Sequence, residues 1–115
     1  MESVPPELMH SDVEWVNPPD AVEAGTRKGA SSVAEAQSAV GRAYSSLEFN
    51  VERLEEHGDT VGVITEILYR GRGSGIEVPQ RMGMLFTIRE GKLARFEWSR
   101  DPEALLATLG SEGLR

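Results

Sequence analysis

Apolar side chains recur at every second position between residues 82 and 98. Met82, Met84, Phe86 and Ile88 follow one another on one stretch, and Ala94, Phe96 and Trp98 on the next. Successive side chains of a strand point to opposite faces, so this spacing predicts a β-hairpin with one apolar face. Arg81, Arg89, Arg95 and Glu97 then fall on the other. The same period runs through Thr60 to Arg70, where Val61, Val63, Thr65, Ile67 and Tyr69 share a side. Ile64 and Leu68 on the opposite side imply that this strand is partly covered on both faces. Leu47, Phe49 and Val51 open a further strand, and Leu54 breaks the alternation in the manner of a β-bulge. Asp12 to Val16 reads as a short strand with Val13 and Trp15 on one face. Asn17-Pro18-Pro19 stops it, because adjacent prolines donate no ladder hydrogen bonds.

Elsewhere the period lengthens. Ser32-Val33-Ala34-Glu35 is a capping-box pattern, and Val33, Ala36, Val40, Ala43, Tyr44 and Leu47 follow at helical spacing. Gly41 inside that stripe weakens a helix, and a close approach to the sheet is the expected reason. Asp101-Pro102-Glu103-Ala104 starts a last helix, with Gly110 expected at its end. Residues 20–30 read as an irregular connection with room for a brief strand. Glu55 to Asp59 and Gly71 to Gly75 read as turns. A strand, a helix, four consecutive antiparallel strands and a final helix predict an α+β domain, its helices packed on one face of a curved sheet.

Composition narrows the function classes. The 115 residues predict one domain spanning 1–115, and 39% apolar with 27% charged residues is ordinary for a globular chain. No apolar run is long enough for a transmembrane helix. The acidic, proline-broken start does not resemble a signal peptide, which makes the cytoplasm the expected location. Without cysteine there is no disulfide framework, thiol nucleophile or thiolate metal site. A formal net charge of −7 argues against nucleic-acid or anionic-membrane partners. The short basic clusters Arg27-Lys28 and Arg70/Arg72 read as solvated loop charge. His57 among Glu55, Glu56 and Asp59 lacks spacing that converges ligands, so no metal is expected there. The Gly71–Gly75 loop is followed by no helix to cradle phosphate. No cofactor is indicated.

The order of motifs carries a resemblance. Asp12-Val-Glu-Trp15, Gly25-Thr-Arg-Lys-Gly29, Gly58-Asp-Thr-Val61, Arg89-Glu-Gly-Lys92, Arg95-Phe-Glu-Trp98 and Asp101-Pro-Glu-Ala-Leu105 with Gly110 together resemble the SnoaL-like branch of the NTF2-like (cystatin-like α+β cone) superfamily, over roughly residues 8 to 110. The resemblance implies a curved antiparallel sheet forming a cone, with helices packed on its concave face. The helices that usually precede the first strand are shortened or missing here, which leaves open what covers the mouth. It also implies a homodimer through the outer sheet face, where Glu66, Arg70, Arg81, Arg95 and Glu97 mix with Leu68, Leu85 and Leu93.

The family's known chemistries do not map onto these residues. Where steroid isomerases of the fold keep a carboxylate base, this chain has Asn17, an amide that cannot take a proton at neutral pH. Their oxyanion-hole aspartate corresponds to about Met84. Epoxide hydrolases of the fold would need carboxylates or arginine at Ile67, Tyr69 and Trp98. The weak catalytic candidates left are Glu14, His10 and Tyr69. The expected ligand pocket is apolar. Trp15, Tyr44, Phe49, Thr65, Ile67 and Tyr69 line it from one side, with Met82, Met84, Phe86, Phe96 and Trp98 from the hairpin, and Val63 beside them; the same side chains also suit a filled core. The expectation is a protein that binds a hydrophobic or aromatic small molecule. A polyketide-cyclase- or isomerase-like enzyme using rim acid/base groups is the second reading, and a non-catalytic dimerisation or interaction module the third.

Overall fold

The computed structural model describes residues 6–113, with side chains for 7–109; the first five residues, including most of the acidic start, lie outside it. A 3-10 turn (Pro6–Leu8) leads into β1 (Met9–Asn17) and β2 (Gly25–Lys28), followed by α1 (Ala30–Ala43). Then come β3 (Tyr44–His57), β4 (Thr60–Gly71), β5 (Glu77–Arg89), β6 (Lys92–Ser99) and α2 (Pro102–Gly113). The strands form one sheet in the order β2-β1-β6-β5-β4-β3. The α+β class and curved sheet are as expected. The sheet is mixed, because β1 runs parallel to β6 while every other pair is antiparallel.

Turn chemistry explains the two tight hairpins. Glu90 and Gly91 both have positive φ (55° and 75°) between the paired residues Arg89 and Lys92, the geometry that lets a two-residue turn follow the twist of its strands. Gly58, with φ 61°, opens the other turn between His57 and Thr60. Two bulges redirect side chains. The register shift between Val51 and Arg53 returns Leu54 to the face of Phe49 and Val51, opposite Val63. A second shift, between Thr87 and Ile88, makes Ala94 the extra residue of β6 and turns Leu93 inward. Leu93 therefore belongs to the inner core and not to the outer face where the alternation put it.

Each face of the sheet has its own core. On the inner face Val33 of α1 packs with Met9, Val13, Val63, Met84, Leu93 and Phe96. On the outer face Leu105, Leu106 and Leu109 of α2 pack on Ile64 and Leu85. The helices thus lie on opposite faces, α1 alone on the concave side. Glycines make room for α2: a Cβ on Gly83 would stand 2.7 Å from the Pro102 backbone, and one on Gly62 2.6 Å from Leu109. Arg81 clamps the start of this helix, its guanidinium donating to Glu52 of β3 and Glu103 of α2. The bond from Arg81 holds the Glu103 carboxyl below the ordinary carboxylate range.

Helix boundaries differ from the sequence pattern. α1 starts at Ala30 with Gly29 as its N-cap and no side-chain cap, so the Ser32 pattern sits inside the first turn. It ends at Ala43, and Tyr44 and Leu47 belong to β3. Nothing approaches the space a Cβ on Gly41 would fill, so a close packing contact does not account for that glycine. α2 is capped as expected, with Asp101 accepting from the Ala104 N–H, and it runs past Gly110 to Gly113.

Candidate functional site

The hairpin of β4 and β5 reaches beyond β6. Residues 77–87 of β5 pair with β4, but only 83–89 pair with β6. Pro79 is tolerated because this part of β5 has a free edge. The projecting arm, with β3 on its other side, bears a groove of about 350 Å³ lined by Tyr44, Tyr69, Ser74, Ile76, Val78 and Gln80. The Tyr44 and Tyr69 rings stand 4.9 Å apart and tilted. Arg72 anchors the base of the arm: its guanidinium donates to the carbonyls of Gly41 (2.8 Å) and Tyr44 (3.2 Å) at the end of α1. A cation suits that end of the helix dipole, so Arg72 is a structural tie and not loop charge free in solvent. Arg27 is engaged as well, with the Ser32 carbonyl and Glu23.

Apolar surface continues beside the groove. Phe49, Val51 and Leu54 on the inner side of β3 are 49%, 59% and 58% exposed, and Ile76 and Val78 are 65% and 52% exposed. α1 covers the β1 side of the concave face and leaves this strip open. The deeper part of the cone is filled. Thr65, Ile67, Met82, Met84 and Phe96 are buried, while Trp15, Phe86 and Trp98 pack against the same core. Trp15 and Phe86 both meet the Phe96 ring, at 4.5 and 5.1 Å. Of the eleven residues expected to line a pocket, Tyr44 and Tyr69 line the groove, Phe49 flanks it, and the rest are core.

At the rim of that core the Asn17 side-chain oxygen accepts hydrogen bonds from two indoles, Trp15 at 2.8 Å and Trp98 at 2.7 Å. An indole N–H can only donate, so this fixes which end of the amide is oxygen. The Arg100 guanidinium lies 5.0 Å from the centroid of the Trp98 ring and 3.4 Å from Asp20. Tyr69 donates its hydroxyl proton to the Met82 sulfur at 3.0 Å. Burial lifts the Tyr69 phenol above its ordinary pKa, the nearby Tyr44 adds to the rise, and the Arg100 charge opposes it.

The catalytic candidates do not converge. His10 sits at the start of β1, accepting from the Asp12 N–H and bonded at 3.3 Å to Glu90 in the β5–β6 turn. Five residues along the strand separate it from Trp15, roughly 17 Å at strand rise. Glu14 points to the outer face, opposite Arg95 in register, with Arg95 and Lys28 at 3.7 and 3.8 Å. Tyr69 alone faces the groove. His57 contacts Glu55 at 3.6 Å, and among the described residues no three ligand-type side chains gather as a metal would need.

A family model for the SnoaL-like domain matches residues 5–96. The chain belongs to the SnoaL-like domain family. Solved structures agree on the fold. TerC, crystallised with polyporic acid, shares 25% identity at a TM-score of 0.66, covering 90% of this chain and 81% of its own. An NTF2-like protein from Anabaena variabilis superposes at a TM-score of 0.73 with 14% identity, over 82% of this chain and 69% of that one. A protein with a ketosteroid isomerase-like fold from Catenulispora acidiphila, in complex with trimethylamine, matches at 0.69 and 14% identity, over 91% and 78%. No curated protein matches the chain. Among the described residues no helix of this SnoaL-like chain is long and apolar enough to cross a membrane.

Besides the loop residue Ser74, the groove walls that sequence reasoning missed include Ile76, Val78 and Gln80. They share the parity of Met82 and Met84, but Pro79 interrupts the run and hides the strand. The junction of Asn17, Trp98 and Arg100 was not read from the sequence, because the Asn17 bond to Trp98 spans 81 residues.

Proposed function

We propose that this SnoaL-like protein binds a hydrophobic, aromatic small molecule on its inner sheet face, in the Tyr44–Tyr69 groove. The observation that carries the reading is the groove itself, a concave aromatic and aliphatic surface open to solvent and continuous with the exposed Phe49 and Val51. Exposed apolar surface of this kind marks contact sites. The likeness to TerC, a protein crystallised with polyporic acid, supports a small-molecule ligand. A cyclase- or isomerase-like reading has less support, because Tyr69 is the one catalytic candidate on this face and its raised pKa keeps it a donor, not a base. A homodimer through the outer face would have to use the area α2 leaves open, around Glu14, Arg95 and Glu97.

Titration with the neutral aromatic probe N-phenyl-1-naphthylamine, followed by its fluorescence, tests the site. Tyr69→Ala and Val78→Asp are expected to weaken binding about tenfold, the equivalent of roughly 1.4 kcal/mol of lost aromatic and aliphatic contact. Equal affinity in wild type and both variants would place any binding elsewhere.

A further inference from the structure

Donors and positive charge gather around Trp98, at the rim of the inner core on the Tyr69 side. Asn17 has committed its oxygen to Trp15 and Trp98, and its NH2 group meets no acceptor among the described residues. Arg100 lies over the face of the Trp98 ring, 5.0 Å from its centroid. Its position relative to the groove follows from register. Gly83–Ser99 is the last rung between β5 and β6, and Arg100 follows it at the end of the ladder nearest Met82, whose sulfur holds the Tyr69 hydroxyl. The Arg100 charge is felt at Tyr69, which agrees with that placement. Its counter-charge is Asp20 at 3.4 Å, with both side chains about half exposed, and water-screened pairs of this kind exchange readily. The carboxylates of the neighbouring strands, Glu14, Glu66 and Glu97, have the opposite parity and lie on the outer face. A chain with a net charge of −7 thus places a cation and an unengaged amide donor around Trp98, on the Tyr69 side of the inner face.

We propose that the site selects an aromatic ligand bearing an acidic oxygen, such as a carboxylate, a sulfonate or an ionised enol. The ring system packs against the Tyr44–Tyr69 pair, and the anionic oxygen meets Arg100 and the Asn17 NH2 group at the Trp98 rim. This rests on the groove being the ligand site. It adds the chemical class, because charge-assisted bonds from arginine and an amide donor favour an anion over a neutral ligand of the same shape.

Two probes of nearly the same shape separate the claims: 8-anilinonaphthalene-1-sulfonate and its neutral parent N-phenyl-1-naphthylamine. Wild type is expected to bind the sulfonate about tenfold more tightly, the scale of one charge-assisted contact, with the ratio shrinking as salt rises. Arg100→Gln should bring the ratio near one. Arg89→Gln, which removes the same charge beside the distant β5–β6 turn, should leave the ratio alone. An unchanged ratio in Arg100→Gln, or an equal fall in Arg89→Gln, overturns the assignment of anion selection to Arg100. If Tyr69→Ala weakens neither probe, the groove reading fails, and it fails separately from the arginine result. If wild type binds neither probe, both ideas fall.

Discussion

Replacing single glycines with alanine tests the packing of the two helices, because the structure assigns the same substitution opposite signs at different sites. At Gly83 the new methyl carbon would lie 2.7 Å from Pro102 Cα and 3.0 Å from its Cβ. Carbon atoms at optimal contact are ~3.5–4.0 Å apart, so the first turn of α2 must retreat by about 1 Å. The obstacle is backbone, which no rotamer change relieves. Retreat loosens Leu105, Leu106 and Leu109 from Ile64 and Leu85. Overpacking of this kind costs about 1–3 kcal/mol. In a chain of this length that is a fall in melting temperature of roughly 4–12 °C. At Gly62 the nearest atom is the Leu109 side-chain methyl at 2.6 Å, which can yield in part, so a smaller loss is expected. At Gly41 a methyl meets nothing, and alanine should stabilise α1 by about 0.8–1 kcal/mol. Urea melts followed by circular dichroism read all three. If Gly83→Ala is as stable as wild type, α2 is not seated on the outer face as described. If Gly41→Ala is destabilising, a hidden contact or strain acts at the end of α1.

Two further outcomes follow from the rim. Asn17→Leu removes the acceptor of two indole N–H groups; unpartnered donors cost about 1–3 kcal/mol each when buried, and the lower end applies to these half-buried indoles. Asn17→Asp keeps an acceptor and should fold with near wild-type stability, so equal losses in both variants would show that the double bond is not what matters. Tyr69 gives an alkaline signature. Its folded pKa is raised, so the native state holds the phenol proton more tightly than the unfolded chain; the stabilisation is complete below the unfolded value near 10 and is lost as pH climbs through the folded value. Urea melts at pH 9 and 11 should show a steeper loss for wild type than for Tyr69→Phe, and identical slopes would contradict a desolvated phenol.

Much of the fold could be read from the sequence because its signals are local. Period-two alternation located β3, β4, β6 and most of β5, and the break at Leu54 revealed a true bulge. Leu93 was misplaced because the alternation was carried unbroken through the last hairpin, where no residue announces that Ala94 is extra. The side of the sheet that α2 covers was not evident from its own leucines, since an apolar stripe shows only that something is covered. The partner surface was nonetheless marked: Gly62 and Gly83 alternate with Ile64 and Leu85 on the outer face, and paired small residues beside large ones admit a helix. Arg72 and Asn17 were unreadable for a different reason. The Arg72 partners lie 28 and 31 residues away and the second Asn17 indole, Trp98, 81 away, and neither pattern nor composition records such bonds.

The same distinction bears on chemistry. In the resembled enzymes, the positions of Asn17 and Met84 would carry the groups that move or share a proton. Here Met84 is buried in the inner core and pairs with Trp98, while Asn17 has its one basic-looking oxygen occupied by two indoles. Neither can accept a proton, and the described candidates Glu14 and His10 do not replace them: Glu14 has turned to the outer face and His10 lies at the far end of β1. What the inner face retains is aromatic surface and hydrogen-bond donors. Donors can hold a ligand oxygen and stabilise negative charge on it, but they cannot begin a reaction that needs a base. Binding therefore precedes chemistry as the function to test, and any turnover found in this protein would have to take its base from the substrate, from water, or from residues outside the described face.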